Sequence, residues 1–398
     1  MKAKNTNIII LFFTLIVIMM GFGMIIPILP FYVKQLGASG SALGLLMATY
    51  GVMQFIFAPF WGQLSDRYGR KKILMLGVVG NAATQVLFGL STQLWMLFAA
   101  RILSGLLSSA TLPTAMAFIS DSTTREQRGG GMGVIGAAFG IGMVLGPGLG
   151  GWLASENLSL PFFIAGGLSM LAFLLIAVFL PESLPKEKRT VVSGKFRGPQ
   201  LNLMWTSLFG PLGFLLIMAF LLTFGLTNFE AIFGLYSADR YGYTPRLVGI
   251  LFMVIGVTSA FVQGVLTGPL TRRWGEANVI RVSLIASAAG FIILTQVNTL
   301  PAVIAAVCFF IISNAMLNPA NSSLISKRTE GSQGLVMGLN NSYQSLGRII
   351  GPVWAGLVYD LNLNFPYWSG AVVMLVGFAL SLMLLSREPH SLEMGMTD

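Results

Sequence analysis

Long apolar runs alternate along the chain with short polar or glycine- and proline-rich breaks. Runs long enough to cross a bilayer as a helix, about 20 residues each, recur from Ile8 to Ser386. Twelve are counted: 8–32, 41–60, 73–91, 94–118, 132–154, 161–180, 208–236, 247–266, 278–297, 300–324, 335–357 and 366–386. The pattern predicts an all-α integral membrane protein with twelve transmembrane helices. The first run follows Lys2 and Lys4 and superficially resembles a signal peptide. It lacks a small-residue cleavage site and stays apolar through Pro27 and Pro30, so it is read as the first membrane helix.

Composition agrees. Of 398 residues, 55% are hydrophobic and 10% charged, a balance that a soluble chain of this length could not hide in one core. The net charge of +10 is distributed unevenly. With the N-terminus inside, Lys2, Lys4, Arg67, Arg70, Lys71, Lys72, Arg125, Arg128, Lys186, Lys188, Arg189, Lys195, Arg197, Arg272, Arg273, Lys327, Arg328 and Arg387 fall in cytoplasmic segments. Lys34, Arg240 and Arg246 fall outside. This asymmetry predicts both termini in the cytoplasm of a plasma or inner membrane protein, and it assigns the basicity to topology and not to nucleic acid. Cys308 is the single cysteine and lies within the tenth run, which excludes an intrachain disulfide and a thiolate metal site.

The one long polar connection, from Pro181 to about Pro199, divides the runs six and six. The expected organisation is therefore an N-terminal six-helix bundle over 1–180, a cytoplasmic linker over 181–207 and a C-terminal bundle over 208–398. Gly37 and Gly242, Gly44 and Gly249, Gly51 and Gly256, and Pro147 and Pro352 are each 205 positions apart, which an internal duplication explains. Six helices per half is an even number, so the halves enter the membrane in the same orientation. Parallel repeats of this kind occur in transporters whose substrate site lies near the midplane.

Between the second and third runs, residues 62–72 read GQLSDRYGRKK. Glycines permit a tight reversal, and Asp66 is suited to cap a helix start and to pair with nearby arginines. A purely topogenic loop accounts for the basic cluster but not for the whole pattern, which resembles the G-x-L-x-D-R-x-G-R-K signature of the major facilitator superfamily. That resemblance implies a cytoplasmic latch formed by Gly62, Asp66, Arg67, Gly69 and Arg70. The second copy keeps Gly268 and Gly275 but has Arg272 in place of the aspartate, so latching should be asymmetric. Residues 142–151 read GMVLGPGLGG, similar to the G-x-x-x-G-P-x-x-G-G signature of drug:proton antiporters, with Gly142, Gly146, Pro147, Gly150 and Gly151 as its elements. Residues 347–356 repeat it loosely. Small residues four apart let helix backbones approach closely, and proline kinks the helix. The run Gly21–Pro30 and the pair Arg101 and Gly105 resemble two further signatures of the same families. The segments 224–230 and 343–347 are most similar to NorA-type multidrug pumps of Gram-positive bacteria. The tenth run, SNAMLNP over 313–319, lacks the acidic residue that such pumps can carry there. The resemblance implies the major facilitator fold, two parallel six-helix bundles working as a monomer without a cofactor, with lipid, protons and small molecules as partners.

Of fourteen acidic residues, Glu230 alone cannot be placed in a loop, boundary or tail. An ionisable side chain at mid-membrane costs about 2–3 kcal/mol or more, which marks a functional position. Glu230 shares a helical stripe with Thr223, Thr227, Gly234 and Ser237, expected to line a water-filled cavity. Arg101 and Arg348 also lie deep, and the three charges are the expected proton-coupling groups. Asn314, Asn318 and Asn321, with Asn341 and Ser345, complete the expected substrate-binding set together with Thr223, Thr227 and Glu230. Hydrogen bonding between helices explains the asparagines equally well. Phenylalanine and methionine, 29 and 21 residues, suit an adaptable apolar pocket but are also what membrane helices contain.

These features point to a proton-coupled antiporter exporting small amphipathic or cationic compounds by alternating access. A proton-coupled uptake symporter for a sugar or organic anion, with Arg101 and Arg348 clamping the anion, is the alternative on the same fold. An enzyme is disfavoured by the absence from the sequence of a nucleotide loop or metal-ligand cluster, His390 being the one histidine. A channel is disfavoured by the lack of a charged ring or filter-like repeat. The topology is testable by labelling single cysteines from outside intact cells: a cysteine replacing Lys34 should react and one replacing Lys188 should not.

Overall fold

The computed structural model describes residues 2–124, 128–189, 198–329 and 332–384; Arg125, Lys195, Arg197, Arg387 and His390 lie outside the described residues, as does part of the 181–207 linker. Each predicted run coincides with a helix among the described residues, except that 208–212, expected at the start of the seventh, is turn and that helix begins at Gly213. The membrane helices are α1 (Lys2–Gln35), α2 (Gly40–Tyr68), α3 (Arg70–Gly89), α4 (Leu94–Ser122), α5 (Arg128–Ala154) and α6 (Leu160–Phe179). The second set is α7 (Gly213–Tyr241), α8 (Pro245–Trp274), α9 (Glu276–Leu294), α10 (Leu300–Lys327), α11 (Gln333–Leu361) and α12 (Phe365–Leu384). Among the described residues eleven helices are long and apolar enough to cross a membrane. The exception, α11, has ample length at 29 residues but carries a polar stripe including Arg348. Large side chains such as Val178 and Phe179 point outward, as expected where the surroundings are lipid.

The duplication is visible in the backbone. Among the described residues, the glycines with positive φ are Gly37 and Gly242, both at 68°, and Gly69 and Gly275, at 103° and 77°. They form two repeat-related pairs at helix-to-helix turns, where a side chain would be strained. Gly69 is the whole of the turn between α2 and α3. Helices α4 and α10 break at matching places, between Ser108 and Thr111 and between Ala315 and Leu317.

Contacts divide the chain into two compact units. The first comprises Met1–Leu201, Thr227–Val257 and Arg348–Pro366; the second comprises Asn202–Leu226, Thr258–Gly347 and Tyr367–Asp398. These units partition the chain by packing, whereas the duplication partitions it by sequence.

In the first unit, Leu11, Leu15 and Ile18 of α1 pack with Leu74, Val78, Phe118, Ala138 and Ile176 in a buried apolar core. Helix α5 is held by its small residues. A Cβ at Gly142, Gly146 or Gly150 would collide with α1 between Met19 and Met24. On another face of α5, a Cβ at Gly249 of α8 would lie 2.5 Å from the carbonyl oxygen of Pro147, and Gly151 abuts Pro245 and Gly249. Helices α2 and α11 cross in the same way: a Cβ at Gly44 would run into the carbonyl oxygen of Pro352, and Gly356 abuts Gly40. The two crossings are related by the 205-residue repeat.

Polar links surround the second crossing. The Asp360 carboxylate accepts from the Gly40 and Ser41 amides at 2.7 and 2.9 Å and from the Ser41 hydroxyl, capping α2 from a different helix. Lys34 pairs with Asp239, which also accepts from the Tyr359 hydroxyl at 2.6 Å.

The second unit is built around Phe291, which packs on Phe310 with ring centroids 4.6 Å apart and on Tyr367 at 6.2 Å. Gly290 and Gly370 admit these rings. Arg281 reaches the Ser381 carbonyl, and Glu276 pairs with Lys327 at 2.5 Å and accepts from Ser323.

Replacing Gly44 or Gly249 with valine should destabilise the protein in detergent by about 1–3 kcal/mol, the usual cost of overpacking, and abolish transport. Gly62→Ala is the control: nothing lies within 4 Å of its Cβ position inside α2, so the melting temperature should hold or rise. Thermal unfolding followed by intrinsic fluorescence reads both.

Candidate functional site

Four side chains of the first unit lie at a common depth. Glu230 is eleven residues from the end of α7, Arg348 thirteen from the end of α11, Tyr50 ten from the start of α2 and Arg101 seven from the start of α4. At 1.5 Å per residue this places them about 10–20 Å from the end of the molecule marked by Gly37. Arg101 is buried, its guanidinium 5.7 Å from the Tyr50 ring centroid and 5.3 Å from that of Phe88. Cation–π contacts of this kind soften the cost of burying the charge, yet the Arg101 Nε finds no hydrogen-bond acceptor. Phe22 of α1 packs against Tyr50 at 5.4 Å.

Arg348 is exposed and Glu230 half-buried. Each lies within the field of the other, and Arg348 also within that of Tyr50. Among the described residues neither forms an ion pair within 4.0 Å. The backbone explains the placement: Gly51 of α2 lies against Ile349 and the Arg348 carbonyl, bringing Tyr50 beside α11. Gly234, one turn beyond Glu230, admits Pro30 of α1. Nothing in the sequence marks Tyr50, because its surroundings depend on which helices face it. Asn228, likewise unmarked, is fully buried and donates to the Pro366 carbonyl at 2.7 Å.

The other expected binding residues divide between structural and open positions. In the second unit, Asn321 is buried and donates to the Leu215 carbonyl at 3.1 Å, tying α10 to α7. Thr223 lies 3.5 Å from Asn318, and Gly347 of α11 packs against Thr223. Asn314 is buried with its Nδ2 lacking an acceptor, on the far side of the α10 break from Asn318 and Asn321. The three asparagines therefore do not form one continuous helical stripe. Asn341 is exposed, and the Ser345 hydroxyl is spent on the Asn341 carbonyl one turn back. Thr227 is half-buried in the first unit, one turn before Glu230.

The GQLSDRYGRKK segment differs from expectation. Residues 62–68 belong to α2, so Gly62 makes no reversal and Asp66 does not cap a helix start. Asp66 sits in the last turn of α2 and pairs with Arg70 Nη2 at 2.6 Å across the Gly69 turn. The Arg70 side chain, largely buried, also holds Asp121 of α4 at 2.9 Å and donates to the Ser65 hydroxyl at 2.6 Å. The Glu182 carboxylate, beyond α6, accepts from the Arg70 and Leu184 amides and pairs with Arg189. Arg67 is exposed over the Tyr68 ring. The cluster thus fastens α2, α3, α4 and the segment after α6 within one unit.

The Major Facilitator Superfamily model matches residues 11–352 and 215–394. The chain is 32% identical over 386 residues to "Multidrug resistance protein 2" of Bacillus subtilis (strain 168), covering 97% of this chain and 96% of that one. It is 31% identical over 380 residues to "Quinolone resistance protein NorA" of Staphylococcus aureus (strain COL), covering 95% and 96%. Among solved structures, the nucleoside transporter NupG superposes with a TM-score of 0.75 at 16% identity over 97% of this chain and 99% of that one. A bacterial homologue of the human lysosomal transporter Spinster, in an inward-facing and unoccupied conformation, gives 0.74 at 15% identity, covering 96% of each. With this fold and these relatives, the chain belongs to the Major Facilitator Superfamily, a family of membrane transporters.

For Asp66→Asn, the remaining Arg70 bonds to Asp121 and Ser65 should preserve the fold, with a stability loss of about 1–3 kcal/mol because the Arg70 end of the pair is largely buried. Transport should fall nonetheless. Melting temperature and transport rate, measured on the same reconstituted sample, check the two halves of this expectation.

Proposed function

We propose that the protein exports small amphipathic compounds, drugs and antibiotics among them, from the cytoplasm in exchange for protons. It acts as a monomer in the cell membrane with both termini cytoplasmic and without a cofactor. The observation that carries this reading is Glu230, a half-buried carboxylate at mid-membrane depth beside an exposed guanidinium on another helix. A carboxyl that passes between wet and dry surroundings takes up and releases a proton. A cationic group arriving at Glu230 favours the deprotonated form, so substrate and proton compete for one site. The names of the relatives, multidrug and quinolone resistance proteins, support export.

With this orientation, the end marked by Gly37 faces outward, and the α5–α8 and α2–α11 crossings seal it. Arg101 and Arg348 serve as internal counter-charges. The cluster around Arg70 is the cytoplasmic latch, bracing the first bundle at the opposite end. Uptake of an organic anion with protons is the second reading, favoured by the unpartnered Arg101 Nε and the exposed Arg348. Substrate accumulation in energised vesicles of opposite orientation separates the two.

Glu230→Gln fixes the uncharged form. Substrate-induced proton release should disappear, and gradient-driven export of a cation-bearing compound should fall about ten- to hundredfold, matching the loss of a coupling free energy of ~1–3 kcal/mol. Reconstituted wild type and variant are compared with a pH-sensitive dye and labelled substrate. Retention of both activities by the variant would move the proton carrier elsewhere.

A further inference from the structure

The repeat changes register inside α8. Gly37, Gly44 and Gly51 are each 205 positions from their counterparts, but Gly62 and Gly268, and Gly69 and Gly275, are 206 apart. Helix α8 therefore holds one residue more than α2 between Gly256 and Gly268. The backbone shows where it goes. Helix α2 is α-helical from Gly40 to Tyr68, whereas α8 passes through one π turn at Val262–Leu266. The Thr267 amide donates to the Val262 carbonyl, five residues back, and the Thr267 hydroxyl donates to the same oxygen at 2.9 Å. A hydrogen bond that reaches back five residues in place of four takes up one extra residue.

In α2 the matching place is occupied by Pro59, which stands as far beyond Gly44 as Gly264 does beyond Gly249, fifteen residues. Proline interrupts the helix permanently, because it has no amide to donate and its ring bends the chain. That bend is packed in: Trp61 is buried and donates to the Leu106 carbonyl at 2.6 Å, with Phe57, Phe60 and Leu64 around it. The π turn differs on both counts. Its residues keep their amides, so its bonds can exchange between carbonyls four and five residues back. Of the positions 261–265 only Val262 is buried, and a Cβ at Gly264 would meet nothing within 4 Å. Just beyond the turn, the Thr271 hydroxyl donates to the Thr267 and Gly268 carbonyls at 2.8 and 3.0 Å, a pattern that bends helices. The packing of α8 changes one turn earlier, where residues through Val257 belong to the first unit and those from Thr258 to the second.

We propose that the extra residue makes α8 a jointed helix. The π turn at Val262–Leu266 is a hinge about which the segment Thr267–Trp274 bends during the transport cycle, while the segment around Gly249 stays seated on α5. Bonds in a π turn have poorer geometry than those of the flanking α-helix, so they open at lower cost. The Pro59 bend of α2 has no such freedom. The two related helices therefore move unequally, one at a fixed kink and the other at an adjustable one.

The first test uses the full chain in lipid nanodiscs without ligand, followed by backbone hydrogen–deuterium exchange. Amides over 262–267 should exchange about tenfold faster than those over 248–256 and over the matching stretch 56–61 of α2. Equal protection overturns the proposal. The second test deletes Gly264, which restores the 205-residue register and a continuous α-helix. The variant should melt at or above the wild-type temperature and lose the fast exchange. Resting on the export reading above, its export of a fluorescent aromatic monocation should fall about tenfold in kcat with KM unchanged. Gly264→Ala keeps the length of the turn while favouring helix, and should slow exchange and export in the same direction by about fivefold. Wild-type export by either variant after its fast exchange is gone overturns the proposal. If the deletion does not fold, Gly264→Ala and the wild-type exchange contrast decide. A wild type that exports no monocation would sink the export reading and leave the hinge to the exchange contrast.

Discussion

Helices gain little from the hydrophobic effect by meeting inside a bilayer, because the lipid they leave is as apolar as the side chains they meet. Close backbone approach through small residues takes its place. In this protein that approach is concentrated where Gly249 lies on Pro147 and Gly44 on Pro352. Neither position has room for a methyl group, and the prolines that present their carbonyls there have no amide hydrogen to donate to their own helix. The rest of the first unit is arranged around these contacts. Helix α5 is sandwiched between α1 and α8, and α2 meets α11 close enough for the Asp360 carboxylate to cap it.

The same crossings position the mid-depth charges. Arg348 lies one turn before Pro352 on α11, and Tyr50 less than two turns beyond Gly44 on α2. Gly51 seats directly on the Arg348–Ile349 backbone. Any rotation about the α2–α11 contact therefore re-aims the guanidinium relative to Glu230 on α7. The small residues that hold one end together and the charges at mid-depth are thus mechanically linked through α2 and α11.

Much of this was legible in the chain. Apolar run length gave the helices, since lipid leaves the backbone no alternative to internal hydrogen bonding, and the constant spacing of Gly37, Gly44, Gly51 and Pro147 from their counterparts gave the duplication. Glu230 stood out because a carboxylate at that depth is costly. Three-dimensional pairing was not legible. Tyr50 acquires its charged neighbours from Arg101 and α11, both remote in sequence. Periodicity alone could not show that α10 breaks after Ala315 and so separates Asn314 from Asn318 and Asn321. The 62–72 segment reads as a loop because its glycines and charges look like turn chemistry, yet 62–68 continues α2. One residue, Gly69, suffices to reverse the chain, and Asp66 spends its charge on Arg70.

The polar stripe on α11 has a consequence for biogenesis. A segment bearing Arg348, Asn340 and Asn341 gains little by partitioning into lipid alone, and a central arginine costs about 2.5–3.5 kcal/mol on insertion scales. Its buried amide, Asn340, is bonded to Ser322 of α10, and Tyr343 reaches the Met204 carbonyl ahead of α7. Those partners precede α11 in the chain and leave the ribosome first. The polar residues of the eleventh helix thus make it a late and dependent passenger during synthesis, one whose entry into the membrane waits on helices already there.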